Sequence, residues 1–145
     1  MYPSDDDILS IVQNVMSTMA NLDVETCRLA EVDRYSLKLT GCVQISGEWQ
    51  GAVVLHTSDS FVRGAASQML QVQPNDLVES DLQDVLAEIT NMIGGNIKSQ
   101  MPGPSFLSIP SVTSGQNFQF HLKDCTVVSQ TPVSCGNNQL NVVIC

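Results

Sequence analysis

The sequence predicts an α+β fold, with one antiparallel sheet and three helices packed on one face of it, in a single domain spanning residues 1–145. Three observations support that expectation. Apolar residues recur at helical spacing in three stretches, alternate with polar residues elsewhere, and the order is helix, strands, two helices, strands. No linker rich in Pro, Gly or Ser and no internal repeat divides the chain, whose length is ordinary for one domain.

The first helix starts at Ser4, which can cap it, while Asp5, Asp6 and Asp7 favour the positive end of the helix dipole. Three adjacent carboxylates point in different directions on a helix, so capping explains them better than a metal cluster. Ile8, Ile11, Val12, Val15, Met16 and Met19 carry the helix to about Ala20. From Tyr35 to Ser46 the period changes to two. Tyr35, Leu37, Leu39, Val43 and Ile45 point one way, and Ser36, Lys38, Thr40, Cys42 and Gln44 the other, as in a strand with one buried face. Gly47 and Glu48 can turn, and Trp49 to Thr57 returns as the second strand of a hairpin. Trp49 reads as a core or hairpin-face residue.

Ser58 or Asp59 caps a second helix bearing Phe61, Val62, Ala65, Ala66, Met69 and Leu70, and Pro74 and Asn75 then break the chain. A third helix begins near Ser80, where Ser80 and Gln83 fit a capping box. It ends around Gln100 to Met101, stopped by Pro102, Gly103 and Pro104. The remainder reads as short strands: Leu107 to Val112, Phe118 to Leu122, Thr126 to Ser134 and Gln139 to Cys145.

Composition excludes several function classes. A net charge of −9 argues against nucleic acid and disfavours anionic membranes. No apolar run reaches the roughly 18 residues of a membrane span. The start MYPSDDDIL has no basic segment or signal-peptide core, so a cytoplasmic location is expected. Five widely spaced cysteines without a CxxC suggest reduced thiols rather than a disulfide framework or zinc site. His56 and His121 have no partner at metal-ligand spacing, and there is no GxSxG, P-loop or GxGxxG. Ser105, Ser108 and Ser111 lie near prolines and fit a turn-rich loop better than a nucleophile.

The third helix carries the chemistry. Its apolar residues Leu82, Val85, Leu86, Ile89, Met92, Ile93 and Ile97 gather on one face. Glu88 falls at the margin of that stripe and Asn91 nearly opposite its centre. At about 100° per residue the two side chains are neighbours, a carboxylate that can pair with a cation beside a carboxamide that both donates and accepts hydrogen bonds. Gly94 and Gly95 follow, each unfavourable in a helix interior by about 1 kcal/mol relative to Ala. Two readings are open for them: close approach of a partner, or close packing against a neighbouring helix of this chain. Asn96 projects into the apolar stripe, which predicts a buried structural residue bonded to a neighbouring backbone.

The stretch EITNMIGGNIKSQM resembles the signature helix of the CheX chemotaxis phosphatase group, within the wider CheC/CheX/FliY family, with Glu88, Asn91, Gly95 and Asn96 at the positions of its pattern. The resemblance extends over most of the chain, through STMANLDV, GAVVLHTS, SQML and PSFLSIPSVTSG, with one signature helix where CheC-like members carry two. It implies hydrolysis of the aspartyl phosphate of a phosphorylated CheY-like response regulator. Asn91 would orient the attacking water and Glu88 would pair with a receiver lysine. This chain would bind no cofactor, and the regulator would bring the Mg²⁺. The resemblance also implies a homodimer joined through sheet edges, for which the terminal run Val142, Val143, Ile144 is a candidate. The competing readings are a non-catalytic receiver-binding module and an assembly domain related to the flagellar-switch member. Retention of Glu88 and Asn91 favours catalysis.

Overall fold

The Ser4 hydroxyl accepts from the Asp7 N–H at 3.1 Å, and the Asp7 carboxylate accepts from the Ser4 N–H at 3.0 Å. This reciprocal cap opens α1, Asp5–Ala20, which buries Ile8, Ile11, Val12, Val15 and Met16. The computed structural model describes residues 2–115 and 126–145, with Arg34 described by its backbone alone. The expected strand over Phe118–Leu122, and His121 within it, lie outside the described residues.

A two-residue strand without sequence signal, β1 (Glu25–Thr26), precedes the hairpin of β2 (Leu37–Gly47) and β3 (Gly51–Ser58). Tyr35 sits in a 3-10 turn before β2 and is 84% exposed, so the buried alternation starts at Leu37, not at Tyr35. Cys42 is buried too, on the opposite face of the sheet with Ala52, Val54 and Val143. The hairpin centre therefore buries side chains on both faces, where one buried face was expected. Trp49 is half-buried against the core, its ring edge-on to Tyr2 at 5.9 Å.

Ser58 caps α2 (Asp59–Leu70) by accepting from the Phe61 N–H at 3.1 Å. The third helix, α3, spans Glu79–Ser99. It does not start with the expected Ser80–Gln83 box. The cap falls at Val78, whose N–H donates to Asp81 Oδ2 at 3.0 Å, so Ser80 already lies in the first turn.

The strand expected over Leu107–Val112 is two strands, β4 (Ser105–Leu107) and β5 (Ser111–Ser114), both antiparallel to β2. Leu107 pairs with Ile45 and Ser111 with Cys42, so three residues, Ser108–Pro110, face two, Val43 and Gln44. That is a bulge, placed where Pro110 has no N–H to give to a ladder. Then β6 (Ser129–Cys135) and β7 (Asn138–Ile144) form a second hairpin.

The sheet order is β1-β6-β7-β3-β2-β4, with β5 also on β2. The final strand β7 thus runs inside the sheet between β3 and β6, and Val142 and Ile144 are fully buried. It is not the bare apolar edge that its sequence suggested. The three helices share one core with one face of the sheet. In it α3 contacts α1 and α2 and lies on β2, β4 and β5.

Candidate functional site

Helix α3 settles onto β2 at two places where a strand or helix residue lacks a side chain. The Thr90 hydroxyl fills the space a Cβ at Gly41 would take, and Gly94 rests on Val43 Cγ2. Ile89, Ile93 and Ile97 fill the core beneath, with exposures of 1% or less. The helix is thus fixed in height and rotation, which fixes the side chains it turns outward.

Those side chains include Glu88, exposed, and Asn91, half-buried. They line a cleft of about 400 Å³ with Asp84 and Ala87 of α3 on one side and Leu107, Ser108, Ile109 and Pro110 on the other. The structure therefore brings Glu88 and Asn91 together, as their spacing predicts, and adds a second wall from the bulge between β4 and β5. Asp84, one turn before Glu88, was legible in the helical projection but had not been singled out. Ser108 and Pro110 read as loop or strand residues, but their approach to α3 carried no sequence signal, because it depends on strand register.

The polar groups of α3 differ in what they have left to offer. Thr90 Oγ1 donates to the Leu86 carbonyl at 2.7 Å, and Asn96 Nδ2 donates to the Met92 carbonyl at 2.7 Å. Both bonds run back to residue i−4 and are spent inside the helix. Among the described residues, neither the Asn91 carboxamide nor the Glu88 carboxylate has such a partner. Asp84 and Glu88 are like charges at i, i+4, which disfavours an isolated helix by roughly 0.2–0.5 kcal/mol. Among the described residues the ion pairs are Arg28–Glu31 and Arg63–Asp59, both elsewhere. The cleft therefore offers negative charge to an incoming cation, beside an unengaged amide.

Other expected positions shift. Asn96 is exposed rather than buried, because the stripe narrows to Ile93, Gly94 and Ile97 over the last turns, and its amide bonds its own helix. Met92 is 39% exposed and lies outside the stripe. Gly94 is buried against Val43, so it serves packing onto a strand, neither partner approach nor packing against a helix. Gly95 is half-buried, and a Cβ there would sit 3.9 Å from Leu107 Cδ2, in ordinary contact. A side chain would fit there, so packing within this chain does not by itself require glycine at position 95. His56 is half-buried, its Nδ1 3.1 Å from Thr40 Oγ1, and burial lowers its pKa. Among the described residues no group of three or more His, Cys, Asp or Glu is placed to hold a metal ion, and no helix is long and apolar enough to cross a membrane.

The fold is that of the CheX- and CheC-like chemotaxis proteins. It matches the chemotaxis protein CheX of Vibrio vulnificus with a TM-score of 0.79 at 22% identity, covering 97% of this chain and 93% of that one. It matches the CheX–CheY–BeF3–Mg²⁺ complex from Borrelia burgdorferi with a TM-score of 0.70 at 17% identity, covering 94% of each chain. Thermotoga maritima FliY is more distant, with a TM-score of 0.61 at 11% identity over 94% of this chain and 83% of that one. A comparison with curated protein sequences finds no match. The profile of the family described as chemotaxis phosphatase CheX matches residues 39–132, a span that contains the whole cleft, and the chain belongs to that family.

Proposed function

We propose that this protein hydrolyses the aspartyl phosphate of a phosphorylated CheY-like response regulator, with the α3 cleft as its active site. The observation that supports this most is the Asn91 carboxamide, without a hydrogen-bond partner among the described residues, beside Glu88 on a helix locked to the sheet through Thr90, Gly41 and Gly94. A crystal structure of a similar CheX protein with CheY agrees with a receiver as the partner.

In this reading the phosphorylated aspartate of the receiver enters the cleft from its open side. Asn91 accepts from and donates to the attacking water and holds it in line with phosphorus. Water adds to phosphorus as the bond to the aspartyl oxygen breaks, giving a free aspartate carboxylate and inorganic phosphate. Glu88 pairs with a lysine of the receiver and keeps the two proteins in register. The receiver brings the Mg²⁺, which supplies charge neutralisation at the phosphoryl oxygens. Phosphoryl transfer depends on positioning and electrostatics, so a non-titrating amide suits the role and a covalent nucleophile is not required.

The test is phosphate release from a panel of phosphorylated receivers of the same organism, with and without this protein. Acceleration of at least one supports the reading. Binding without acceleration favours the receiver-binding module instead. Family membership also leads us to expect a homodimer. Among the described residues the sheet edges available to it are β1 and the β4–β5 side, not β7.

A further inference from the structure

The cleft has an acidic wall and an apolar one, and the apolar wall is built to stay exposed. Ile109 is 88% exposed, the highest value among the exposed large hydrophobic side chains of the described residues. A β-branched apolar side chain left in water at a loop tip is ordinarily free to fold back, but this one is held out. The Ser108 N–H donates to the Gln44 carbonyl at 2.9 Å, and the Gln44 N–H donates to Ser108 Oγ at 2.8 Å. The Ser108 hydroxyl in turn donates to the Ile109 carbonyl at 3.1 Å. A side-chain oxygen thus takes the place of a ladder carbonyl, and the extra residue of the bulge is pushed outward. Pro110 in turn disfavours helical backbone at Ile109. Ile109 and Pro110 face Asp84, Glu88 and Asn91 across the same cleft.

We propose that Ile109 is the apolar docking anchor for the receiver domain, buried by the receiver surface next to its phosphorylated aspartate when Glu88 meets the receiver's cation. This rests on the reading of the cleft given above and adds to it a residue that sets affinity and partner choice without touching the reacting atoms. The partner it fits has a cationic group and an apolar side chain spaced to reach opposite walls of the cleft. Because the bulge is fixed before docking, little ordering entropy is lost when the side chain is covered. A receiver with a charged residue at that place leaves that charge facing Ile109 and is discriminated against.

The experiment measures the dissociation constant for CheY-like receivers of the same organism, each held in its active form with beryllofluoride and Mg²⁺. It uses the wild type, Ile109→Ser, Ile109→Leu and, as a remote control at the far end of β2, Tyr35→Ser. Ile109→Ser should weaken binding about tenfold, in line with loss of one buried aliphatic side chain. Ile109→Leu and Tyr35→Ser should stay within about twofold of wild type. In steady-state dephosphorylation Ile109→Ser should raise KM and leave kcat, whereas Asn91→Ala should do the reverse. An unchanged dissociation constant for Ile109→Ser overturns the anchor while leaving the phosphatase reading intact. A wild type that binds but does not dephosphorylate, with Ile109→Ser binding weakly, overturns the phosphatase reading and keeps the anchor. A wild type that binds none of the receivers overturns both.

Discussion

The hydroxyl of Thr90 on α3 occupies the space directly over Gly41 on β2, where a side chain would otherwise stand. The same hydroxyl donates to the Leu86 carbonyl, so its rotamer is fixed and cannot turn aside. Gly41→Ala should therefore overpack the junction and destabilise the fold by roughly 1–3 kcal/mol. A urea titration measures it. An unchanged midpoint would mean that the helix is free to rise, and that it does not position the cleft.

Stability and function should separate within one turn of α3. Ile89 is 1% exposed, and Ile89→Ala should destabilise the protein by roughly 2–5 kcal/mol. Glu88 is exposed, and Glu88→Ala should shift stability by no more than about 0.5 kcal/mol. It should still impair dephosphorylation of the receiver. Chemical denaturation of both variants checks the first pair of values, and the reverse ranking would refute the orientation of the helix.

Much of this was legible in residue pattern alone. The Ser4 cap, the β2–β3 hairpin and the α3 stripe are local properties, set by spacing and by short-range hydrogen bonds, and each appears in the structure. The juxtaposition of Glu88 and Asn91 is equally local. What the pattern could not give is tertiary. Asn96 was misplaced because a projection assumes the stripe keeps its width to the end of the helix, whereas burial there contracts to Ile93, Gly94 and Ile97. Gly94 was ambiguous because glycine records a close approach without naming the neighbour, here Val43. The second wall of the cleft depends on one extra residue between β4 and β5 in their pairing with β2, and Ile109 acquires its place only through that register. The β7 run looked like an edge because sequence order does not reveal strand order.

Acid should weaken the fold in part through His56. Burial holds its folded pKa below the ordinary value of 6.5, so the unfolded chain binds the proton more readily. Its contribution is fully present above the unfolded value, is lost as pH falls through it, and levels off below the folded value. Between about pH 7 and pH 5 the wild type should lose more stability than His56→Gln. Parallel curves for the two proteins in denaturant titrations across that range would contradict this.

Metal dependence should track the receiver. Activity should vanish with chelator and return in full when Mg²⁺ is restored to a chelator-washed preparation of this chain. Phosphate release measures it. Activity that stays lost until another metal is supplied would place a metal requirement on this protein.

The most direct measurement is single-turnover dephosphorylation of a cognate phosphorylated receiver by wild type and Asn91→Ala, followed by stopped flow. Asn91 is half-buried and its amide has no hydrogen-bond partner among the described residues, so the variant should fold and bind the receiver as wild type does. Its rate should fall by a factor on the order of 10²–10³, the usual loss for one oriented polar group at a reacting centre. An Asn91→Ala protein as fast as wild type would contradict the water-positioning role, even if the protein proves to be a phosphatase.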